Sequence, residues 1–392
     1  MKLVIVSIFS KNENPIAKKF GESIIHHFQN ARKLNEIVVI TNSDFPVSLS
    51  EKNLKIIPDH TFDSLKNSLK VLKIIRREKP DAIYFNIDFL DQNIKTGIYF
   101  FKFLIPIFFS FKKIPSILFL NNYREELDLN HAKFSGDYFN AKGFKIKKYI
   151  LFKILPKVNL VSLPNSKDFN SFHKNYPNYP LKHSPYVRTV RSSLPNFLND
   201  ENDLLKINTY LGNKPHQELT FLVQALSNSK NINIEIALST NPDTFVLENF
   251  ISENNIPPTI KIVNYFSINY FEFIKNGKMV LFLNPLALKD KDLLLNVSLL
   301  GKPILAPNEK NASIQMREEG YSAHYYTPRN ENSLYRGIFT VYNSKSYGFK
   351  LAKKNYSIAS QNTLDTITSY YIDLYTNYNN KKKTTSLNNS KV

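Results

Sequence analysis

Cysteine is absent from all 392 residues. Disulfide frameworks, thiolate metal sites and a cysteine nucleophile are therefore excluded, and the composition fits a cytoplasmic protein. Acidic side chains are scarce: 33 Asp+Glu against 52 Lys+Arg leave a net charge of +19. Such an excess either reflects a Lys- and Asn-rich proteome or attracts anions, whether phosphorylated ligands, anionic lipid or nucleic acid. No apolar run reaches the roughly 18–20 residues of a spanning helix. The nearest, IYFFKFLIPIFFSF (98–111), contains Lys102 and is broken by Pro106. The opening MKLVIVSIFSKNEN has neither a basic n-region nor a small-residue cleavage site, and reads as a first buried strand rather than a secretory signal. The phosphate loop G-x-x-x-x-G-K-[ST] and the nucleophile elbow G-x-S-x-G are both missing. His26 and His27 have no third ligand in register, so no metal site is expected. The 22 Tyr and 30 Phe are scattered rather than gathered into an aromatic–basic RNA motif, so nucleic acid is not an expected partner.

What is present is alternation. LVIVSIF (3–9) is a continuous apolar run, as in a parallel strand buried on both faces. EIVVIT, LKIIP, AIYFNI, SILFL and NLVSL follow as strands, with helix-like segments at 17–29 and about 62–77. The stretch 175–203 is rich in Pro, Asn and Ser and reads as the end of a domain and a linker. The pattern then restarts with KINTYLG, INIEIAL, KIVNYF, MVLFLN and PILA as strands. Segment 351–375 reads as one long helix, and the tail KKKTTSLNNSKV as disordered. The expected class is α/β, with two doubly wound parallel-sheet domains over residues 1–195 and 196–375 and a basic tail over 376–392.

One stretch is more specific. In KDLLLNVSLLGKPILAPNE (291–309) a helix runs into Gly301, then Pro303, then a short apolar strand. Gly301 is expected to take the left-handed conformation that stops the helix, and Pro303 discourages continuation. VSLLGKPILAPNE, the later REEGYSAHYYTPRNENSLYRGI and the earlier LGNKPHQELTFLVQAL together resemble three pieces of the group 1 retaining nucleotide-sugar transferases, which have the GT-B fold. The resemblance spans nearly the whole chain, with its specific part between Leu211 and Tyr342.

The resemblance implies two Rossmann-like domains facing a cleft, an acceptor side in the first and a nucleotide-sugar site in the second. It implies transfer to a glycan or lipid-linked acceptor, as in cell-surface polysaccharide assembly, without a metal and with no cofactor beyond the nucleotide-sugar co-substrate. The two family glutamates fall on Leu288 and Asn296. Asn296 can still hydrogen-bond a ribose, and Lys289, Asp290 and Asp292 stand close enough to supply a charge. The family arginine and lysine fall on Asn213 and Gln217, leaving Lys214 and His216 as substitutes. Asn284, after MVLFLN, is expected at the ligand-binding edge of its sheet. In the first half, Asn121 or Asn122 replaces the family histidine, and Asn86 and Asp88 end a strand. The loop 10–23 carries only Gly21, with Lys18 and Lys19 as alternative phosphate contacts. For each of these polar residues the alternative is a solvated loop or helix start.

Two readings stay open for 98–113. It is a core helix, or a surface patch whose phenylalanines enter a lipid interface while Lys102, Lys112 and Lys113 meet anionic headgroups. In the second case KGFKIKKYILFK (142–153) extends the patch and the protein is peripheral on the inner face of the cytoplasmic membrane. Two readings also stay open for function: a glycosyltransferase, or a non-catalytic binding or scaffold subunit on the same fold, favoured by the missing carboxylates.

Overall fold

A computed structural model describes residues 1–8, 15–42, 53–58, 60, 62, 64–88, 96–121, 158–164, 166–175, 177–185, 204–212, 214–227, 229, 232–240, 245–265, 270–285 and 291–389. The chain forms two compact units, residues 1–188 with 364–392, and residues 189–363.

The first unit is built on β1 (Lys2–Ile8), β2 (Glu36–Thr41), β3 (Leu54–Ile57), β4 (Ala82–Asp88), β5 (Ser116–Asn121), β6 (Leu160–Leu163) and β7 (Leu181–His183). Their order is β3-β2-β1-β4-β5-β6-β7, and each pairing is parallel. Helices α1 (Pro15–Gln29), α2 (Leu65–Glu78), α3 (Thr96–Phe111) and α4 (Ser166–Asn175) lie between strands in sequence. Local chemistry sets the ends of α2. Ser64 accepts a hydrogen bond from the Asn67 amide at its start. Lys79 closes it in the left-handed conformation, with φ 48°. One stripe, Ser68, Val71, Ile75 and Glu78, is buried.

The second unit repeats the plan. In chain order it holds β8 (Leu205–Tyr210), α5 (Pro215–Leu226), β9 (Ile234–Leu238), α6 (Leu247–Glu253), β10 (Ile260–Asn264), α7 (Tyr270–Lys275) and β11 (Met279–Phe282). It continues with α8 (Lys291–Leu299), β12 (Ile304–Pro307), α9 (Lys310–Glu318), β13 (His324–Tyr326), α10 (Glu331–Asn343) and α11 (Lys345–Ala359). The sheet order is β10-β9-β8-β11-β12-β13, again parallel throughout. Gly301 ends α8 as expected, at φ 67°. Its N–H reaches Ser298 O and that of Lys302 reaches Val297 O, the paired bonds of a Schellman turn. Gly320, at φ 85°, ends α9 with the same pair of bonds, from its own N–H to Arg317 and from Tyr321 to Met316.

Several expectations differ from the structure. Pro106 lies inside α3 and does not end it. The segment 351–375 is not one helix: α11 stops at Ala359, and α12 (Leu364–Asn389) begins anew. No Gly or Pro interrupts 364–389, and the backbone stays helical through most of the tail read as disordered. Sequence order attaches α12 to the second half, yet it belongs to the first unit. There it buries Leu364, Ile367, Tyr371, Ile372 and Tyr375. The Tyr371 hydroxyl lies 2.8 Å from both Ser162 Oγ and Ser184 Oγ, and Tyr375 donates to the Ile83 carbonyl at 2.9 Å. Burial pushes the Tyr371 phenol up to about 12. The basic segment 142–153 lies outside the described residues.

Each unit opens with a Lys–Glu ion pair in the same cross-strand register, partly exposed in the first and largely buried in the second. Lys2 at the start of β1 meets Glu36 at 2.8 Å across the register of β2, and Glu78 at 3.1 Å. Lys206 on β8 meets Glu235 at 2.7 Å across the register of β9. Tyr265 donates to the same carboxylate at 2.9 Å. Burial alone would raise the Glu235 carboxyl, but the hydrogen bonds from Lys206 and Tyr265 outweigh it and hold it below its ordinary value.

The Tyr371 geometry gives a direct test. Tyr371→Phe leaves two buried serine hydroxyls without that partner and is expected to cost about 1–3 kcal/mol of stability. Urea unfolding of the variant beside the parent protein measures it.

Candidate functional site

In a parallel sheet every strand ends at the same edge, and the helix that follows starts there. The order of the second sheet reverses direction between β8 and β11, because β9 was added on one side of β8 and β11 on the other. The crevice outside the carboxyl ends of two such strands is where open α/β sheets bind ligands. The residues leaving β8 and β11 therefore define the candidate site.

They are packed tightly. Gly212, two residues past β8, lies against Asn284, two residues past β11. A Cβ on Gly212 would stand 1.7 Å from Asn284 Nδ2, so only glycine lets the two loops approach this closely. The Gly212 N–H donates to the carboxylate of Glu218, on the first turn of α5. Burial raises the Glu218 carboxyl above its ordinary value, and the Gly212 hydrogen bond only partly opposes it. Tyr326, the last residue of β13, reaches across the sheet to donate to the Phe282 carbonyl at 2.9 Å. Its phenol is pushed up by burial, with the Glu218 and Glu309 carboxylates adding to the effect. Glu309 is exposed just past β12.

Groups suited to an anion are backbone as much as side chain. Lys214 is the exposed N-cap residue of α5, and no side chain caps that helix. Pro215 fills its first position, so the amides of His216 and Gln217 lead the turn. Such amides and the helix dipole favour an anion. Helix α8 starts at the same edge, after β11, and α9 starts there after β12.

The expected site residues fall into three groups. Asn284 and Lys214 sit at the crevice, and Asn296 is half-buried midway along α8. His216 is exposed but its ring packs against Phe245 and Phe250, at 4.9 and 5.9 Å, on the β9 side. In the first sheet, Asn86 is fully buried inside β4 and donates to Ser7 Oγ on β1 at 3.3 Å, so it ties two strands together. Asp88 and Asn121 are paired last residues of β4 and β5, at the carboxyl edge of that sheet. Asn213, Lys289, Asp290 and Asn122 lie outside the described residues, as does Leu288; for Asp292 the backbone alone is described, in the first turn of α8. Glu218 is the site residue that sequence reasoning missed. Its signal is an acid in the first turn of a helix, able to reach back to the loop amide six residues earlier.

No protein-family model and no curated protein matches the chain. Solved structures do. Anabaena HepE in complex with UDP matches with a TM-score of 0.54 at 14% identity, over 96% of this chain and all of that one. A glycosyltransferase from Rickettsia africae matches at 0.54 with 12% identity, over 96% of this chain and 98% of that one. MurG from Acinetobacter baumannii matches at 0.53 with 10% identity, over 96% and 99%. With its two parallel α/β sheets and terminal helix, the chain has the GT-B fold.

Glu218 yields a pH test. Its carboxyl is raised above the ordinary 4.5, so ionising it costs the folded state stability once pH exceeds that value, and the cost disappears in acid where both states are protonated. Glu218→Gln keeps an acceptor for Gly212. It is expected to raise the melting temperature at pH 7 and to change it little near the acid limit of stability, as read by calorimetry across pH.

Proposed function

We propose that the chain is a glycosyltransferase that takes a sugar from a nucleotide-sugar donor. The place of Gly212 and Asn284 at the reversal point of the second sheet, next to the uncapped start of α5, carries this reading: a strand-end crevice beside helix amides suits a ligand with a phosphate and a ribose. The similar HepE structure holds UDP, which supports a uridine nucleotide here. In this reading Lys214 and the leading amides of α5 hold the pyrophosphate. Asn284 and Asn296 offer amides to the ribose or the sugar. The departing nucleoside diphosphate is stabilised by these fixed donors, with the nucleotide-sugar as co-substrate and no further cofactor. The acceptor is a glycan or lipid-linked saccharide of cell-surface polysaccharide assembly, met at the inner face of the cytoplasmic membrane. The net charge of +19 suits a phosphate-bearing acceptor.

One observation favours the second reading, a non-catalytic binding subunit. Glu218 occupies the Gly212 amide with a carboxylate, where a donor phosphate would be drawn to a free N–H. A transferase must turn that side chain aside or protonate it.

A thermal-shift screen against UDP-, GDP-, ADP- and CMP-sugars separates the two. A donor at about 100 times its Kd stabilises the fold by about 2.7 kcal/mol. The transferase reading expects a shift with one nucleotide; a cooperative melt unmoved by any of them supports the binding subunit. Lys214→Ala is expected to weaken the bound nucleotide about tenfold, read by calorimetric titration; unchanged affinity would remove Lys214 from the site.

A further inference from the structure

Among the described residues, the outer face of α2 carries a row of cations. Lys66, Lys70, Lys73 and Arg77 repeat at i, i+4, i+7 and i+11 and are exposed. The one acid of that helix, Glu78, is turned inward and bonded to Lys55 and Lys2. The neighbouring α3 extends the face. Arg76 and Lys112 both stand over the Phe108 ring, at 6.0 and 5.9 Å, which joins the C-terminal ends of the two helices. Lys113 follows, exposed.

Apolar side chains stand among these cations. Leu65 and Leu69 on α2 are 49% and 38% exposed, and Phe111 at the end of α3 is 67% exposed. Among the described side chains of α3, Phe103, Ile105, Ile107 and Phe109 are buried. From Phe103 to Phe109 the apolar run supplies core, and among its described side chains Phe111 is the large apolar one that stands exposed. The cationic face belongs to the helix beside it. A face that is cationic, poor in exposed acid among the described residues, and studded with protruding leucine and phenylalanine matches an anionic bilayer surface. Cations meet headgroups while the apolar tips enter the interface. Nucleic acid would be served by the cations but not by exposed aliphatic side chains.

We propose that this α2–α3 face docks the protein on an anionic membrane surface. The proposal specifies the membrane contact of the reading above and does not depend on the donor chemistry. The test is co-sedimentation of the full chain with vesicles of phosphatidylcholine, alone and mixed with phosphatidylglycerol. Binding is expected to the mixed vesicles only. The combined variant Lys66→Glu, Lys70→Glu and Lys73→Glu should lower it at least about tenfold. Phe111→Ser should lower the part that persists at raised salt. Lys345→Glu, Lys350→Glu and Lys353→Glu on α11 change net charge equally and should leave most of the binding in place. Equal loss in that control, no binding to either vesicle, or competition by single-stranded RNA with indifference to Phe111→Ser would each overturn the proposal. Any nucleotide-sugar thermal shift should be the same in the α2 variant, so failure of docking and failure of the donor reading are told apart.

Discussion

Parallel pairing is the constraint from which the rest follows. A parallel neighbour cannot be reached by a tight turn, so each strand must be followed by a crossover that returns the chain to the starting edge. That need places the helix starts, with their unpaired amides, along one edge of each sheet, and the buried strand faces under helices. It also explains why the strands read as continuous apolar runs: β1 is buried over six of its seven residues. The crevice between β8 and β11 is a consequence of strand order before it is a matter of any side chain.

Charge is sorted by the same geometry. The amino edges hold the Lys2–Glu36 and Lys206–Glu235 pairs, one at the opening of each sheet and in the same cross-strand register, the second largely buried. The repetition points to two copies of one plan. Neither pair adds much net stability: water screens the exposed Glu36, and desolvation offsets the Lys206–Glu235 attraction, though breaking that second pair leaves a buried charge behind. The carboxyl edge of the second sheet is mixed instead, with Lys214 beside Glu218 and Glu309. That edge thus presents fixed amides and adjustable side chains of both signs.

The strands and the Gly301 stop were legible because they rest on local rules: apolar runs of the right length, and a glycine where a helix must end. β7 and β13 were not, since each has three residues and pairs along one side, too short for periodicity to speak. Pro106 stands inside α3, as the core-helix reading of 98–113 requires, because the hydrogen bond a proline costs there can be offset by packing of the surrounding apolar side chains. The site was half legible. Asn284 and Lys214 followed from where β11 and β8 end. Glu218 did not, because alignment to a basic pattern looks for cations, whereas this loop is held by an acid. Asn86 shows the opposite error: a polar residue near a strand end was read as functional, and its bond to Ser7 makes it part of the sheet.

The attachment of α12 to the first unit bears on how the protein is made. The second unit is one unbroken stretch of chain, complete when the ribosome has passed residue 363. The first unit is not. Its sheet emerges first but lacks Tyr371, which packs on Tyr84, and Tyr375 until the residues beyond 363 follow. The unit begun first is therefore completed only after the second, and until then the face around Tyr84 is a surface that a nascent-chain chaperone would have to shield.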